Sequence, residues 1–313
     1  MTAAGSQAGE GTGEAAGASA PGAGSGATAG SGGTLYVVAT PIGNLGDITL
    51  RALEVLRAVP LIAAEDTRHT RRLLERHAVD TRTTSYHAQS EASRTTALLE
   101  HLRSGADLAL VTDAGTPAVS DPGADLVAAW AGRGGTVVAI PGASAVLAAV
   151  VSSGVAGPRW SFEGFLPRSG RERGERLRRI ADDDRGTLVF EAPGRVAATL
   201  RDLAAVCGGE RPAAVCRELT KLHETIVRGT LAELAASAES GRIPARGEFV
   251  LVVGAWPEGR PVSIEDEADA LAAARAEVER LVATGVARGE AAKRVAALSG
   301  LARRQLYGAD RVR

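Results

Sequence analysis

The run Leu35-Tyr36-Val37-Val38-Ala39-Thr40-Pro41-Ile42-Gly43-Asn44-Leu45-Gly46-Asp47 decides the fold. Residues 35–39 read as a short buried strand. A glycine-bearing turn follows. Leu50, Leu53 and Leu56 then recur at helical spacing, which predicts a helix over about 48–58 with Asp47 as its cap. The same unit recurs downstream. Residues 108–112 lead into Asp113-Ala114-Gly115-Thr116-Pro117-Ala118-Val119-Ser120-Asp121-Pro122-Gly123, where Ser120 or Asp121 is placed to cap a helix with Pro122 in its first turn. Residues 136–140 lead into Pro141-Gly142-Ala143-Ser144, with Ser144 capping a helix from about Ala145. Residues 61–64 add a strand and 67–77 a helix. Repeated βα units predict an α/β fold with a mostly parallel sheet. Ligands in such sheets sit outside the carboxyl ends of the strands, where all three glycine turns fall. None of these turns is a Walker loop or a strict G-x-G-x-x-G, which argues against a nucleotide-phosphate or NAD site.

Past residues 152–158, rich in Ser, Gly and Pro, the texture changes. Strand-like runs lie at 160–165, 187–191, 213–218, 225–228 and 249–253, and helical ones at 172–181, 196–207 and 231–240. Several of these strands follow one another without a helix between, which favours a mixed or antiparallel sheet. The expected organisation is a disordered tail over 1–33, an N-terminal α/β domain over 34–153, a second over 154–256, a linker at 257–261 and a helical module over 262–313. In that module, 290–298 and 302–307 flank Ser299-Gly300-Leu301, a helix-turn-helix-like arrangement. From Val286 to Arg313, seven basic residues (Arg288, Lys293, Arg294, Arg303, Arg304, Arg311, Arg313) stand against two acidic ones (Glu290, Asp310). This is a phosphate-contact surface or a solvated helix pair packed on the body.

Composition bounds the function. The net charge of −1 over 313 residues does not mark a wholesale polyanion binder. Lysine occurs only at Lys221 and Lys293, so nearly all positive charge is arginine, the better bidentate phosphate ligand. Cys207 and Cys216 fit neither a zinc pattern nor a disulfide framework, which suits a reducing, cytoplasmic setting. No apolar run approaches the length of a membrane span, and no metal-ligand cluster is visible.

Read together, six ordered motifs resemble the ribosomal small-subunit 16S rRNA cytidine 2′-O-methyltransferase family, which belongs to the tetrapyrrole-methylase-type methyltransferases. They are Thr40-Pro41-Ile42-Gly43-Asn44-Leu45-Gly46-Asp47-Ile48-Thr49, Ala64-Glu65-Asp66-Thr67-Arg68, Asp113-Ala114-Gly115-Thr116-Pro117 with Ser120-Asp121-Pro122-Gly123, Phe162-Glu163-Gly164-Phe165-Leu166-Pro167, Arg217-Glu218-Leu219-Thr220-Lys221 and Gly247-Glu248-Phe249-Val250. The resemblance implies two α/β domains with the active site in the cleft between them. It also implies S-adenosylmethionine as methyl donor, 16S rRNA of the small ribosomal subunit as substrate, and a homodimer. One departure stands out: the family usually has His after Glu-Ala-Pro, where this chain has Glu191-Ala192-Pro193-Gly194-Arg195.

Site expectations follow. Pro41, Ile42, Gly43, Asp113, Gly115, Thr116, Pro117, Ser120, Gly142, Ser144, Ala145, Pro193 and Glu248 are the cofactor candidates, against plain turn-and-cap chemistry. Asp121 reads as a helix start rather than a ligand contact. The 2′-hydroxyl is a weak acid, so a base should assist its attack; the candidates, in falling order, are Glu65, Asp66, Lys221 and Glu218. Glu65 and Asp66 equally suit a helix cap, and Glu218 a structural ion pair. Arg68, Arg71, Arg168, Arg171, Arg294, Arg303 and Arg304 are the RNA-contact candidates, with Arg72 extending the same basic rim; a solvated helix face is the alternative. Two other function classes remain in view: a small-molecule methyltransferase acting on tetrapyrrole or corrinoid intermediates, and a non-catalytic ribosome-associated RNA-binding protein.

Overall fold

A computed structural model of the chain describes residues 32–87, 91–256, 264–299 and 301–307. Residues 1–31 of the expected 1–33 tail, the linker at 257–261, and Gly300, Asp310, Arg311 and Arg313 lie outside the described residues, while Gly33 is tied down, its N–H donating to the Leu102 carbonyl.

The first unit runs β1 (Leu35–Val38), α1 (Leu50–Ala58), β2 (Ile62–Ala64), α2 (Thr67–Arg76), β3 (Thr83–Ser85), α3 (Glu91–Arg103), β4 (Leu108–Val111), α4 (Ala124–Ala131), β5 (Val137–Ile140) and α5 (Ala145–Ser153). Its five strands pair in the order β3-β2-β4-β1-β5, all parallel. Apart from the polar edge strand β3, the short strands are apolar because helices cover both faces. Leu53, Leu56, Leu74 and Val111 pack on one side, and Leu99, Leu102, Leu126 and Trp130 on the other.

The second unit runs β6 (Trp160–Phe165), α6 (Gly170–Asp182), β7 (Gly186–Glu191), α7 (Val196–Cys207), β8 (Pro212–Arg217), β9 (Thr225–Thr230), α8 (Leu231–Glu239) and β10 (Phe249–Val253). The strand order is β6-β7-β10-β8-β9. Only the β6–β7 pair is parallel, so the sheet is mixed. One of its faces carries α6, α7 and α8. The other receives α5 of the first unit, whose Val146 and Ala149 pack with Leu188, Ala214, Val250 and Val252. Arg228 of β9 closes the far end of α5 by donating to the carbonyls of Ser152 and Ser153. A helix of the first unit therefore completes the core of the second.

A third cluster joins α9 (Ile264–Ala283), α10 (Arg288–Ser299) and a 3-10 turn at Arg303–Tyr307 around Val278, Ala292 and Leu306. No helix among the described residues is long and apolar enough to cross a membrane.

Two expected caps move. Thr49, not Asp47, caps α1, accepting the Ala52 N–H, while Asp47 ends a separate 3-10 turn held by Asn44. Neither Ser120 nor Asp121 caps α4; the helix starts after Gly123, with no side-chain cap. Proline at 122 and glycine at 123 keep the chain non-helical for a further turn. Ser144 does cap α5, accepting the Leu147 N–H.

Candidate functional site

Two cavities open at the carboxyl ends of the first sheet. The larger, about 430 Å³, lies between the two sheets. Ile42, the loop from Ala114 to Asp121 and the start of α5 form one wall. Phe165, Phe190, Pro193, Leu219 and the entry to β10 form the other. Phe165 and Phe190 make an aromatic rim, with Phe162 packed on Phe190 behind it, edge-on at centroid separations of 5.6 and 4.7 Å.

The loop that builds this cavity is held under strain. Ala118 and Ser120 adopt left-handed backbone (φ 68° and 65°), a conformation costing a non-glycine residue about 1–3 kcal/mol. Its base is fixed by a two-bond bridge between Thr40 and Gly115 at 2.8 and 3.0 Å, and by the Thr40 hydroxyl donating to the Thr112 carbonyl. Such strain persists only where surrounding contacts over-determine it, and it clusters at ligand sites.

Every charged side chain lining the larger cavity is acidic: Asp121, Glu191 and Glu248. Glu191 is satisfied by the Thr199 hydroxyl at 2.6 Å and by Arg195. Glu248 accepts Lys221 Nζ at 3.1 Å. Asp121 makes no ion pair among the described residues. Burial, reinforced by the Glu65 and Asp113 carboxylates, pushes its carboxyl up to about 6, against a smaller opposing effect of the Thr112 hydroxyl. With Arg195 and Lys221 offsetting Glu191 and Glu248 from outside the lining, Asp121 is the unpaired charge among the described residues that faces the cavity, which suits a cationic ligand better than a phosphate.

The smaller cavity, about 200 Å³, lies on the α2 side of the same turns. Residues of one turn alternate between the two: Pro41 and Gly43 face the smaller and Ile42 the larger. Asp113 likewise faces the smaller while Ala114 and Gly115 face the larger. Behind this wall, the ends of β2 and β4 interlock. Asp113 N–H donates to Glu65 Oε2 at 3.3 Å, and Asp66 N–H donates to Asp113 Oδ1 at 3.0 Å.

The sequence candidates divide accordingly. Ile42, Gly115, Thr116, Ser120, Ser144, Ala145, Pro193 and Glu248 line the larger cavity. Pro41, Gly43 and Asp113 line the smaller, and Pro117 and Gly142 line neither. The four base candidates line neither. Asp66 caps α2 and is bidentate to the exposed Arg68, which pulls its carboxyl down to about 2. Glu218 and Lys221 pair at 3.0 Å, and Glu218 also accepts the Glu248 N–H, which holds its carboxyl low. Glu65 is raised by burial but sits behind the wall. Sequence reasoning missed Asp121, whose Asp-Pro pair reads as a cap signal, and the Phe190 rim.

Among the arginine candidates, Arg171 pairs with Glu175, Arg294 with Glu290, and Arg303 donates to the Gly289 carbonyl. Arg71, Arg168 and Arg304 are exposed. Gly194 sits in an exposed 3-10 turn where an added side chain meets open space. Among the described residues, no group of three or more His, Cys, Asp or Glu is arranged to hold a metal.

Comparison with known proteins adds four findings. The family profile of Tetrapyrrole (Corrin/Porphyrin) Methylases matches residues 34–235. The chain is 48% identical over 276 residues to the ribosomal RNA small subunit methyltransferase I of Synechocystis, covering 88% of this chain and 96% of that one. It is 46% identical over 283 residues to the protein of that name from Micromonospora olivasterospora, covering 89% and 86%. Among solved structures, it resembles the uroporphyrin-III C-methyl transferase of Thermus thermophilus complexed with S-adenyl homocysteine. The TM-score is 0.51 at 19% identity over 71% of this chain and 97% of that one, a likeness of fold.

Proposed function

The chain belongs to the tetrapyrrole (corrin/porphyrin) methylase family, and from that premise we propose that it transfers a methyl group from S-adenosylmethionine to the ribose 2′-hydroxyl of a cytidine in the decoding region of small-subunit 16S rRNA. The observation that carries the donor assignment is the all-acidic, aromatic-rimmed cavity between the sheets. Its carboxylates complement a sulfonium and an α-ammonium group, and its apolar walls suit an adenine ring. The relatives' shared name supports the acceptor.

When bound, S-adenosylmethionine supplies a methyl group already activated on sulfur. The protein then has mainly to position two reactants, a contribution that can reach about 7–11 kcal/mol of barrier. The strained 114–121 loop and the start of α5 hold the donor from one side, and Phe165, Pro193 and the β10 entry exclude water from the other. Asp121 is the group placed to take the hydroxyl proton: it lines the donor cavity and its raised basicity suits that task. Glu65 and Asp113 act behind it, keeping Asp121 basic by their charge.

The same reading makes the enzyme a cytoplasmic homodimer. Leu147 and Val151, 54% and 80% exposed, lie one turn apart on α5 and offer an apolar strip to a second copy. Light scattering that returns a monomer for both native chain and Leu147→Glu counts against it.

The decisive experiment is nucleoside mass spectrometry of rRNA from cells with and without this gene. Loss of one 2′-O-methylcytidine, restored by the native chain but not by Asp121→Asn, is expected. An unchanged nucleoside profile, with activity on uroporphyrinogen III instead, sinks the reading in favour of the small-molecule class.

A further inference from the structure

The smaller cavity is chemically unlike its neighbour. Arg72 and His69 stand at its exposed edge, and neither makes an ion pair among the described residues. Asp113 forms part of its inner wall, with Oδ1 already accepting the Asp66 N–H. Beneath them, the enclosed Thr70 hydroxyl has no hydrogen-bond partner although Thr70 is only 3% exposed. Pro41, Leu45 and Leu73 complete an apolar floor. A guanidinium and an imidazole, both hydrogen-bond donors, on one side and a carboxylate on the other match a ligand carrying both an anion and hydroxyl donors. A bare phosphate would be repelled by Asp113, and a simple sugar would leave Arg72 unused. At about 200 Å³ the chamber is less than half the donor cavity. It suits one sugar with its phosphate rather than a four-ring macrocycle.

We propose that this chamber seats a ribose-phosphate unit of the acceptor RNA strand, with Arg72 and His69 on the phosphodiester and Asp113 accepting from a ribose hydroxyl. The assignment rests on the ribosomal RNA reading above. The two chambers divide the labour by charge: the acidic one takes the cationic donor, and the mixed one takes the anionic acceptor. Because they share the turns at 40–43 and 113–115, a strand anchored in the second chamber is held beside the donor, where a neighbouring nucleotide presents the reacting 2′-hydroxyl to Asp121. Asp113 thereby becomes a substrate residue rather than a cofactor residue.

The test uses the full-length enzyme and small ribosomal subunits purified from cells lacking the gene. Affinity for subunits is measured across salt concentrations, and S-adenosylmethionine affinity is measured by calorimetry. Arg72→Gln should weaken subunit binding about 5–20-fold and reduce the slope of log affinity against log salt by about one. Asp113→Asn keeps an oxygen for the Asp66 N–H. It should weaken subunit binding about 3–10-fold with donor affinity unchanged within twofold. Arg76→Gln, in the last turn of the same helix, should match the native chain. Subunit affinity left intact by both chamber variants, while the native enzyme binds and methylates subunits, overturns the assignment alone. So does a loss of donor affinity in Asp113→Asn. A native enzyme that neither binds nor methylates subunits overturns the underlying reading, and this one with it.

Discussion

At the residue scale, one carboxyl stands apart from the structural acids. Asp66 and Glu218 are held low by cations and bound N–H groups, whereas Asp121 is raised to about 6. The rate should therefore have an acid limb. In kcat/KM, methylation should fall as pH drops through about 6, because the base becomes protonated. In kcat the limb should lie lower, since a bound sulfonium favours the carboxylate. The stability sign is opposite. A carboxyl raised in the folded state costs stability once it ionises, so the cost is absent below the unfolded value near 4 and complete above about 6. Asp121→Asn should slow transfer about 100-fold or more while raising thermal stability at pH 8 and not at pH 4. A stabilisation equal at both pH values would refute the titration. Arg211 makes the opposite case, a buried charge used for structure. It is fully enclosed, donates to the carbonyls of Ile180, Asp183, Arg185 and Gly254, and stacks 5.1 Å from the Trp256 ring. Arg211→Met strands those carbonyls and should cost about 3–5 kcal/mol in urea unfolding.

At the element scale, the turns carry the site. Two glycines flank the Lys221–Glu218 pair. A Cβ on Gly43 would collide with the Lys221 methylenes, and one on Gly247 (φ 91°) with the Glu218 carboxylate. The loop between β8 and β9 is itself strained at Glu218 and Thr220 (φ 54° and 65°). Gly43→Ala should expel Lys221 from its seat, lowering stability by about 1–2 kcal/mol and raising KM for the donor more than it lowers kcat. An unchanged KM would mean that this contact does not shape the cavity. Much of this was legible in advance. Apolar runs, glycine turns and the Ser144 cap announce β1, β4, β5 and α5. β3 and α3 give little sequence signal, because Thr83-Thr84-Ser85 is a three-residue polar edge strand and α3 opens with the largely polar run Glu91-Ala92-Ser93-Arg94-Thr95-Thr96. Asp121 carries a misleading signal, because an Asp-Pro pair imitates a helix start although α4 begins only after Gly123. The glycine at 123, with φ 124°, delays α4 and leaves the carboxylate facing the cavity. The second chamber could not be foreseen, since it depends on how α2 folds over the turn at 40–45.

At the scale of the whole molecule, charge is distributed rather than massed. In the C-terminal cluster, Arg288 and Arg294 are neutralised by Glu279 and Glu290, which leaves Lys293 and Arg304 exposed without an ion pair among the described residues. If this cluster touches RNA, those two contribute to the contact. The double variant Lys293→Gln, Arg304→Gln should lower subunit affinity and reduce the salt slope by up to about two. An unaltered slope gives the cluster another task.

The placement of α5 has a genetic consequence. By chain order it closes the first sheet, yet by burial it completes the second. A gene cut after Gly154 therefore divides an interior, not merely a polypeptide. The downstream fragment would be left with Leu188, Ala214 and Val252 bare to water, and the upstream one with a greasy helix projecting from its end. Each fragment produced alone should collect in inclusion bodies, and both made in one cell should rescue one another. In a calorimeter, residues 32–256 of the uncut protein should melt as one event rather than two.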